Sequence, residues 1–241
     1  MTGMAWGRML AAWYDVVRQP SQAELNYWEQ AAQRHERIVE IGAGQGHLSI
    51  ALARARPQVL TLFEPELENL PYLRRRLTGY SFELVTGELG QDSTRGNDLA
   101  VLGYDTLPMI QRDGQGALFR HVARSIRVGA RFHVHLYPPS KLMNRSPLPS
   151  LRRMNLGDLG VVEVSSKTVQ HGPNMYVKRI DLRSEVLGAG EEYEFETWVV
   201  TDEDVMELAR QSGLTLDRLA PSYGQDGGSN LGAVYEFVRA T

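Results

Sequence analysis

The chain has 241 residues, 42% of them hydrophobic and 23% charged, which is enough to bury a sizeable core. Its 26 Lys and Arg against 29 Asp and Glu leave a net charge of −3, the wrong sign for a domain built to grip phosphate backbones, so no nucleic-acid partner is expected. With no cysteine, disulfides, thiolate metal sites and Cys nucleophiles are excluded. No run of about 18 apolar residues suggests a membrane span, and no secretory signal opens the chain, so a cytoplasmic protein is expected.

In chain order, residues 5–18 and 21–35 read as helices: Met9, Leu10, Trp13, Val16 and Val17 recur near helical spacing, and Ser21 is placed to cap the second. A β-branched run at 37–41 ends in Gly42-Ala43-Gly44-Gln45-Gly46, followed by a helix over 47–55. A second strand at 59–63 closes at Glu64-Pro65, and a charged helix over 66–77 carries Arg74, Arg75 and Arg76 on its wet face. Strands at 82–85, 98–102 and 130–137, with a helix around 114–127, complete a βαβ pattern that predicts a parallel sheet. Residues 138–157, rich in Pro, Ser, Asn and Gly, read as a lid loop. Three β-rich stretches at 161–169, 175–187 and 192–200 read as an antiparallel meander. Thr201 and Asp204 form a capping box for a helix to about 212, and strands at 215–219 and 233–238 close the chain.

The chemistry centres on the glycine loop. A strand running through alternating glycines into a helix lets a ligand approach the backbone closely. The spacing is Gly-x-Gly-x-Gly and not the dinucleotide fingerprint, because His47 stands where that pattern needs glycine; this opposes a second reading as an NAD-type oxidoreductase. Glu40 precedes the loop. Glu64 ends the next strand, where a carboxylate accepts from ribose hydroxyls, and Glu88 follows the third, within reach of an adenine amino group. Each acid sits at the carboxyl end of a successive strand, where open α/β sheets bind nucleosides. Asp98 and Asp105 lack a third ligand nearby, so no metal is expected.

These residues resemble a family, the class I S-adenosylmethionine-dependent methyltransferases. Val39 to Gly46 resembles its first motif, Phe63-Glu64-Pro65 its ribose motif, Gly87-Glu88 its adenine motif and Asp98 to Tyr104 its fourth-strand motif. The likeness runs through residues 10–137 and resumes at the terminal helix and hairpin. It implies a Rossmann-like, mostly parallel sheet with a C-terminal antiparallel hairpin and an inserted β meander. The cofactor would be S-adenosyl-L-methionine, leaving S-adenosyl-L-homocysteine, held by Tyr14, Glu40, Gly42, Gly44, Gly46, Glu64, Pro65, Glu88, Leu89, Gly103 and Tyr104. One domain over 1–241 is expected, with helices at 1–36, a cofactor core at 37–137, lid and meander at 138–200, and the core's last helix and hairpin at 201–241.

A narrower resemblance is to natural-product N-methyltransferases of the aminosugar and peptide amino-terminal kinds, through Tyr14-Asp15, the compact core and the Tyr193 to Trp198 stretch. It implies transfer to an amine of a small molecule or peptide, with Tyr14 closing over the methionine moiety. Aminosugar enzymes carry a histidine where Met109 stands here, and the loop from Leu102 to Pro108 lacks the Asn-Pro-Pro-Tyr type of pattern used on exocyclic base nitrogens. His133 and His135 share one face of strand five, with His135 and Tyr137 nearer its carboxyl end. His135 or Tyr137 acting as base for an O-methyltransferase is the alternative, and a non-catalytic binding module of the same fold is another. The meander should wall the acceptor pocket, with Tyr176, Tyr193 and Trp198 as cover or pocket residues. Its exposed edges suit a second subunit, so a homodimer is among the expectations.

Overall fold

Short apolar runs bounded by glycine or charge form the centre of the sheet. The structure, a computed structural model, describes residues 7–87, 90, 95–104, 106–143, 150–221, 223 and 232–240. β1 (Arg37–Ile41) and β2 (Val59–Phe63) pair in parallel, Val39 opposite Thr61 and Ile41 opposite Phe63. β3 (Glu83–Val85) adds outside β2. On the other side of β1 lies β4 (Asn97–Leu102), buried along its whole length, and then β5 (Ile126–Leu136). Continuous burial is what parallel strands covered on both faces require. The chain ends on β10 (Leu214–Pro221) and β11 (Ala233–Arg239), and β11 runs antiparallel to β5. The seven-stranded order is β10-β11-β5-β4-β1-β2-β3, so the direction of winding reverses between β1 and β4.

Side-chain alternation sends Val39, Ile41, Phe132 and Val134 to a core shared with α6 (Arg112–Ser125) and α8 (Asp202–Gln211). Ile38, Leu60 and Leu99 face the opposite core, built with α2 (Gln22–Ala32), α3 (Ser49–Arg54) and α4 (Leu70–Arg76). Both expected caps are present. Ser21 Oγ accepts from the Glu24 N–H at 3.2 Å while Glu24 accepts from the Ser21 N–H at 2.7 Å. Thr201 and Asp204 repeat the exchange at 3.2 and 2.8 Å.

A second, antiparallel sheet in the order β6-β7-β8-β9 comprises β6 (Ser150–Asn155), β7 (Val161–Gly172), β8 (Met175–Ser184) and β9 (Ala189–Trp198). The stretch 138–157 is therefore not all loop: it holds α7 (Pro139–Met143) and the edge strand β6. β6 is exposed at all but one position, so it shows no apolar alternation to read. A short α5 (Thr106–Met109) also stands where a loop was expected; its proline lies in the first turn, where no N–H is needed. The N-terminal helix α1 (Arg8–Val17) packs Met9, Leu10 and Trp13 on Leu156, Val162 and Ile180, joining the second sheet to the first. Residues 5 and 6 of that expected helix lie outside the described residues. No helix among the described residues is long and apolar enough to cross a membrane.

Candidate active site

The glycine loop leaves β1 at the point where the winding reverses. Gly42 N and Ala43 N both donate to Phe63 O at 2.9 Å, which turns the chain over the end of β2. Gly42 has φ +71°, and a Cβ there would lie 2.7 Å from Thr106 Cγ2, so this glycine is required by packing. Gly44, at φ +55°, is different: a Cβ there would meet nothing within 4 Å. Its α-carbon borders open space. Gly46, at φ +80°, ends the loop before α3.

Glu64 reaches back across this loop. Its buried carboxylate accepts from Gly44 N at 2.6 Å, from Glu66 N at 3.0 Å and from Asn69 Nδ2 at 3.1 Å. Burial holds this carboxyl above its usual range, although the three donors pull the other way. Pro65 follows on the exposed turn. Glu88 and Leu89, the expected adenine contacts, lie outside the described residues, as does Asp105.

Glu40 points from β1 into the same end of the sheet. It is buried, its Oε2 has no hydrogen-bond partner, and burial pushes its carboxyl up to about 8, with the Glu64 charge adding to the effect. A carboxyl that keeps its proton when folded but loses it near 4.5 when unfolded makes the folded state the greater proton binder between those values. Stability is therefore lost as pH rises through that window. His47 and His133 are held neutral down to about 3 by burial, so their opposite contribution is complete above their ordinary 6.5. The melting temperature of the ligand-free protein should fall between pH 6.5 and 8, and Glu40→Gln should flatten that fall; an unchanged slope in the variant would show that Glu40 is ionised throughout.

α1 roofs the loop. The Gln45 side chain donates to Ala11 O at 2.6 Å, and Asp15 accepts from Arg75 at 2.8 Å and Arg76 at 2.5 Å. Two of the three arginines read as a wet face thus tie α4 to α1. Tyr14 stands edge-on to His47, ring centroids 6.1 Å apart.

At the end of β4, a Cβ on Gly103 would come 2.5 Å from Leu48 Cδ1, and Tyr104 adopts φ +52°. The Arg18 guanidinium lies 3.8 Å over the Tyr104 ring and 5.7 Å from that of Tyr137, and pairs with Glu24 at 3.3 Å. Tyr223 donates to Glu24 at 3.2 Å and stacks on His135 at 5.0 Å, while Tyr137 meets His135 edge-on at 4.7 Å. His135 is therefore enclosed by rings. His133 lies deeper, 3.9 Å from Glu236 and against Trp28. Neither Arg18 nor Glu24 was marked by any motif; only the capping position hinted at the latter.

A cleft of about 120 Å³ lies between α1, the end of β5 and the second sheet. Trp13, Tyr14, Tyr137, Phe195 and Trp198 give it aromatic walls, Met109 and Val199 apolar ones, and Lys141 and Lys178 its charges. Of the meander aromatics singled out from sequence, Trp198 lines it. Tyr193 packs instead in the core under α1, and Tyr176 is buried without lining the cleft. Tyr14 and Tyr137 face the cleft, whereas His135 does not line it.

Solved structures share this fold. A methyltransferase of Clostridium acetobutylicum described as S-adenosylmethionine-dependent superposes with TM-score 0.77 at 14% identity, covering 96% of this chain and 98% of that one. A sugar N-methyltransferase of a Streptoalloteichus species gives 0.76 at 14% identity over 100% and 96%. A glycopeptide N-methyltransferase solved with sinefungin gives 0.62 at 15% identity over 92% and 87%. The fold is that of the class I methyltransferases. The reversal between β1 and β4 and the antiparallel β11 are thus features of a methyltransferase fold carrying an added sheet. No family model matches the chain. A curated relative, ribosomal RNA small subunit methyltransferase G of Mycobacterium marinum, is 33% identical over 96 residues; the match spans 33% of this chain and 42% of that protein.

Proposed function

We propose that this chain is an S-adenosylmethionine-dependent methyltransferase that acts on an amine of a small molecule or peptide in natural-product biosynthesis. The observation that carries the reading is the glycine loop at the switch point, open beside Gly44 and bound to the Glu64 carboxylate, next to a separate aromatic cleft. The residues fit the cofactor: Gly44 leaves room for a close approach, and Glu40 keeps an unpartnered buried oxygen beside it. Glu64 would hold the ribose, Glu40 and the loop would face the amino-acid end, and Tyr14 and Tyr104 would flank the passage to the cleft. When bound, S-adenosylmethionine supplies an electrophilic methyl on a sulfonium.

The chain's own contribution is position and dryness. Tyr14 and Tyr137 line the cleft and leave little room for water beside a docked acceptor. The aromatic and apolar walls of the cleft disfavour an ammonium and so keep an acceptor amine in its neutral, nucleophilic form. The apolar cleft and the net charge of −3 support a small acceptor over the ribosomal RNA named for the partial relative. The sugar and glycopeptide N-methyltransferases of the same fold support nitrogen as the acceptor atom.

Calorimetric titration with S-adenosylhomocysteine tests the cofactor, and micromolar binding is expected. The acceptor atom is tested by His135→Ala across pH. An amine acceptor should lose under about tenfold in rate, since His135 only supports Tyr137, whereas a hydroxyl acceptor using it as base should lose about 10²–10⁴-fold with partial rescue in alkali. The larger, alkali-rescued loss would turn the assignment to O-methylation.

A further inference from the structure

Size and walls together limit what the cleft can hold. Its volume of about 120 Å³ is close to the roughly 150 Å³ of an apolar cavity that takes up one benzene ring, so it encloses a single six-membered ring and leaves the rest of a larger molecule outside. The aromatic walls come from three places in the chain: Trp13 and Tyr14 from α1, Tyr137 from just after β5, and Phe195 and Trp198 from β9. Ile180 of β8 stands among them. Against such walls a flat ring gains more than the area it buries, because aromatic pairs favour each other in edge-on and offset arrangements.

A sugar ring fits these walls less well. Each hydroxyl that leaves water without a new partner costs about fivefold or more in affinity. Three of the lining residues, Pro108, Pro138 and Pro139, have no backbone N–H to offer. The two ammonium groups are engaged on rings, Lys141 Nζ 3.1 Å from the Tyr137 centroid and Lys178 Nζ 5.2 Å from that of Trp13. One donor is left over. The Trp198 indole N–H is buried and has no hydrogen-bond partner among the described residues, although a buried tryptophan usually finds one. Its strand is fixed by pairing with β8, where Trp198 stands opposite Met175. Tyr14 marks the way out toward the glycine loop, since it lines the cleft and also meets His47 edge-on at 6.1 Å.

We infer that the acceptor is an arylalkylamine: it places a single six-membered aromatic ring in the cleft, and a hydrogen-bond-accepting atom carried by that ring takes the Trp198 N–H. Its amine leads past Tyr14 toward the glycine loop. The inference rests on reading the cleft as the acceptor pocket. Trp198 then selects among ring substituents, while the remaining aromatic walls select the ring itself.

The test is ligand-observed NMR titration on the full chain saturated with S-adenosylhomocysteine, at neutral pH, with uncharged probes in which a hydroxymethyl group stands for the aminomethyl. The probes are benzyl alcohol, cyclohexylmethanol, methyl glucopyranoside and the three isomers of methoxybenzyl alcohol. Benzyl alcohol should bind at least about threefold tighter than cyclohexylmethanol, the usual gain from aromatic pairing, and at least about tenfold tighter than the glucoside. The best methoxy isomer should gain about threefold or more over benzyl alcohol, as expected for one hydrogen bond. In Trp198→Phe that last gain should disappear while the preference for ring over sugar is kept. Should the variant fail to fold, wild-type protein gives a second readout: the Trp198 indole proton resonance should move downfield with the best methoxy isomer and not with benzyl alcohol. Glucoside or cyclohexylmethanol binding as tightly as benzyl alcohol, no measurable binding of any aromatic probe, or a methoxy gain that is absent or survives Trp198→Phe would overturn the inference. Wild-type protein that does not bind S-adenosylhomocysteine would instead refute the methyltransferase reading, and the probes would still be compared on the ligand-free chain.

Discussion

Gly44→Val should weaken S-adenosylhomocysteine binding by more than about 100-fold, which corresponds to roughly 2.7 kcal/mol. The residue has φ +55°, a region that costs an L side chain about 1–2 kcal/mol and that a β-branched one essentially avoids. Nothing among the described residues lies within 4 Å of the position a Cβ would take, so the valine side chain starts into open space, where the proposed ligand would lie. Gly42→Ala supplies the contrast. There the new Cβ would press on Thr106 at 2.7 Å, and the loss should appear as a lower melting temperature in the ligand-free protein. Measured side by side, the first variant should lose far more affinity than its strain-lowered melting temperature accounts for, and the second should lose melting temperature first. A Gly44→Val protein that binds within threefold of wild type would move the ligand away from this loop.

Glu64→Ala should be costly in both respects. Its carboxylate gathers three donors, two backbone N–H groups and the Asn69 amide, in a buried position. Removing it strands donors that cost about 1–3 kcal/mol each where water cannot replace the acceptor. A stability loss of about 2–4 kcal/mol is expected in urea unfolding, with a further 1–3 kcal/mol lost from cofactor affinity as the ribose contact goes. Glu64→Gln is more informative, because it preserves shape but turns one acceptor oxygen into a donor that must face Gly44 N or Asn69. If the alanine variant loses stability but keeps its affinity, Glu64 is a brace for the loop and not a ribose ligand.

The glycine-loop end of the molecule was readable because its signals are local. β1 and β2 have the bounds read from sequence, since each is a five-residue apolar run stopped by glycine or Glu-Pro, and Glu64 then falls beside the loop by the geometry of adjacent parallel strands. The cleft was not readable in the same way. Trp13, Lys141 and Lys178 come from a helix, a short turn of helix and a meander strand far apart in sequence. Their periodicity shows that they pack, not which cavity they wall. β6 escaped because an exposed edge strand carries no alternating pattern. His135 was correctly placed on its strand, but what encloses it, above all Tyr223 from beyond β10, depends on long-range closure that no spacing encodes.

Helix α1 belongs to two compartments at once. One side caps the glycine loop through Ala11 and is tied to α4 through Asp15; the other lends Leu10, Trp13 and Tyr14 to the cleft and packs on the second sheet. On the proposed reading, a single rigid displacement of this helix would open the glycine loop and the cleft together, and each occupant would help to hold the helix for the other. Exchange of spent cofactor and methylated product would then be a shared event paced by helix undocking, a common kinetic bottleneck in enzymes that close over their substrates. The latch is partly ionic, Asp15 held by a largely exposed Arg75 and a half-buried Arg76, so added salt loosens it by screening. Turnover limited by undocking would then speed up with ionic strength and slow down with solvent viscosity, whatever the chemistry at the methyl group.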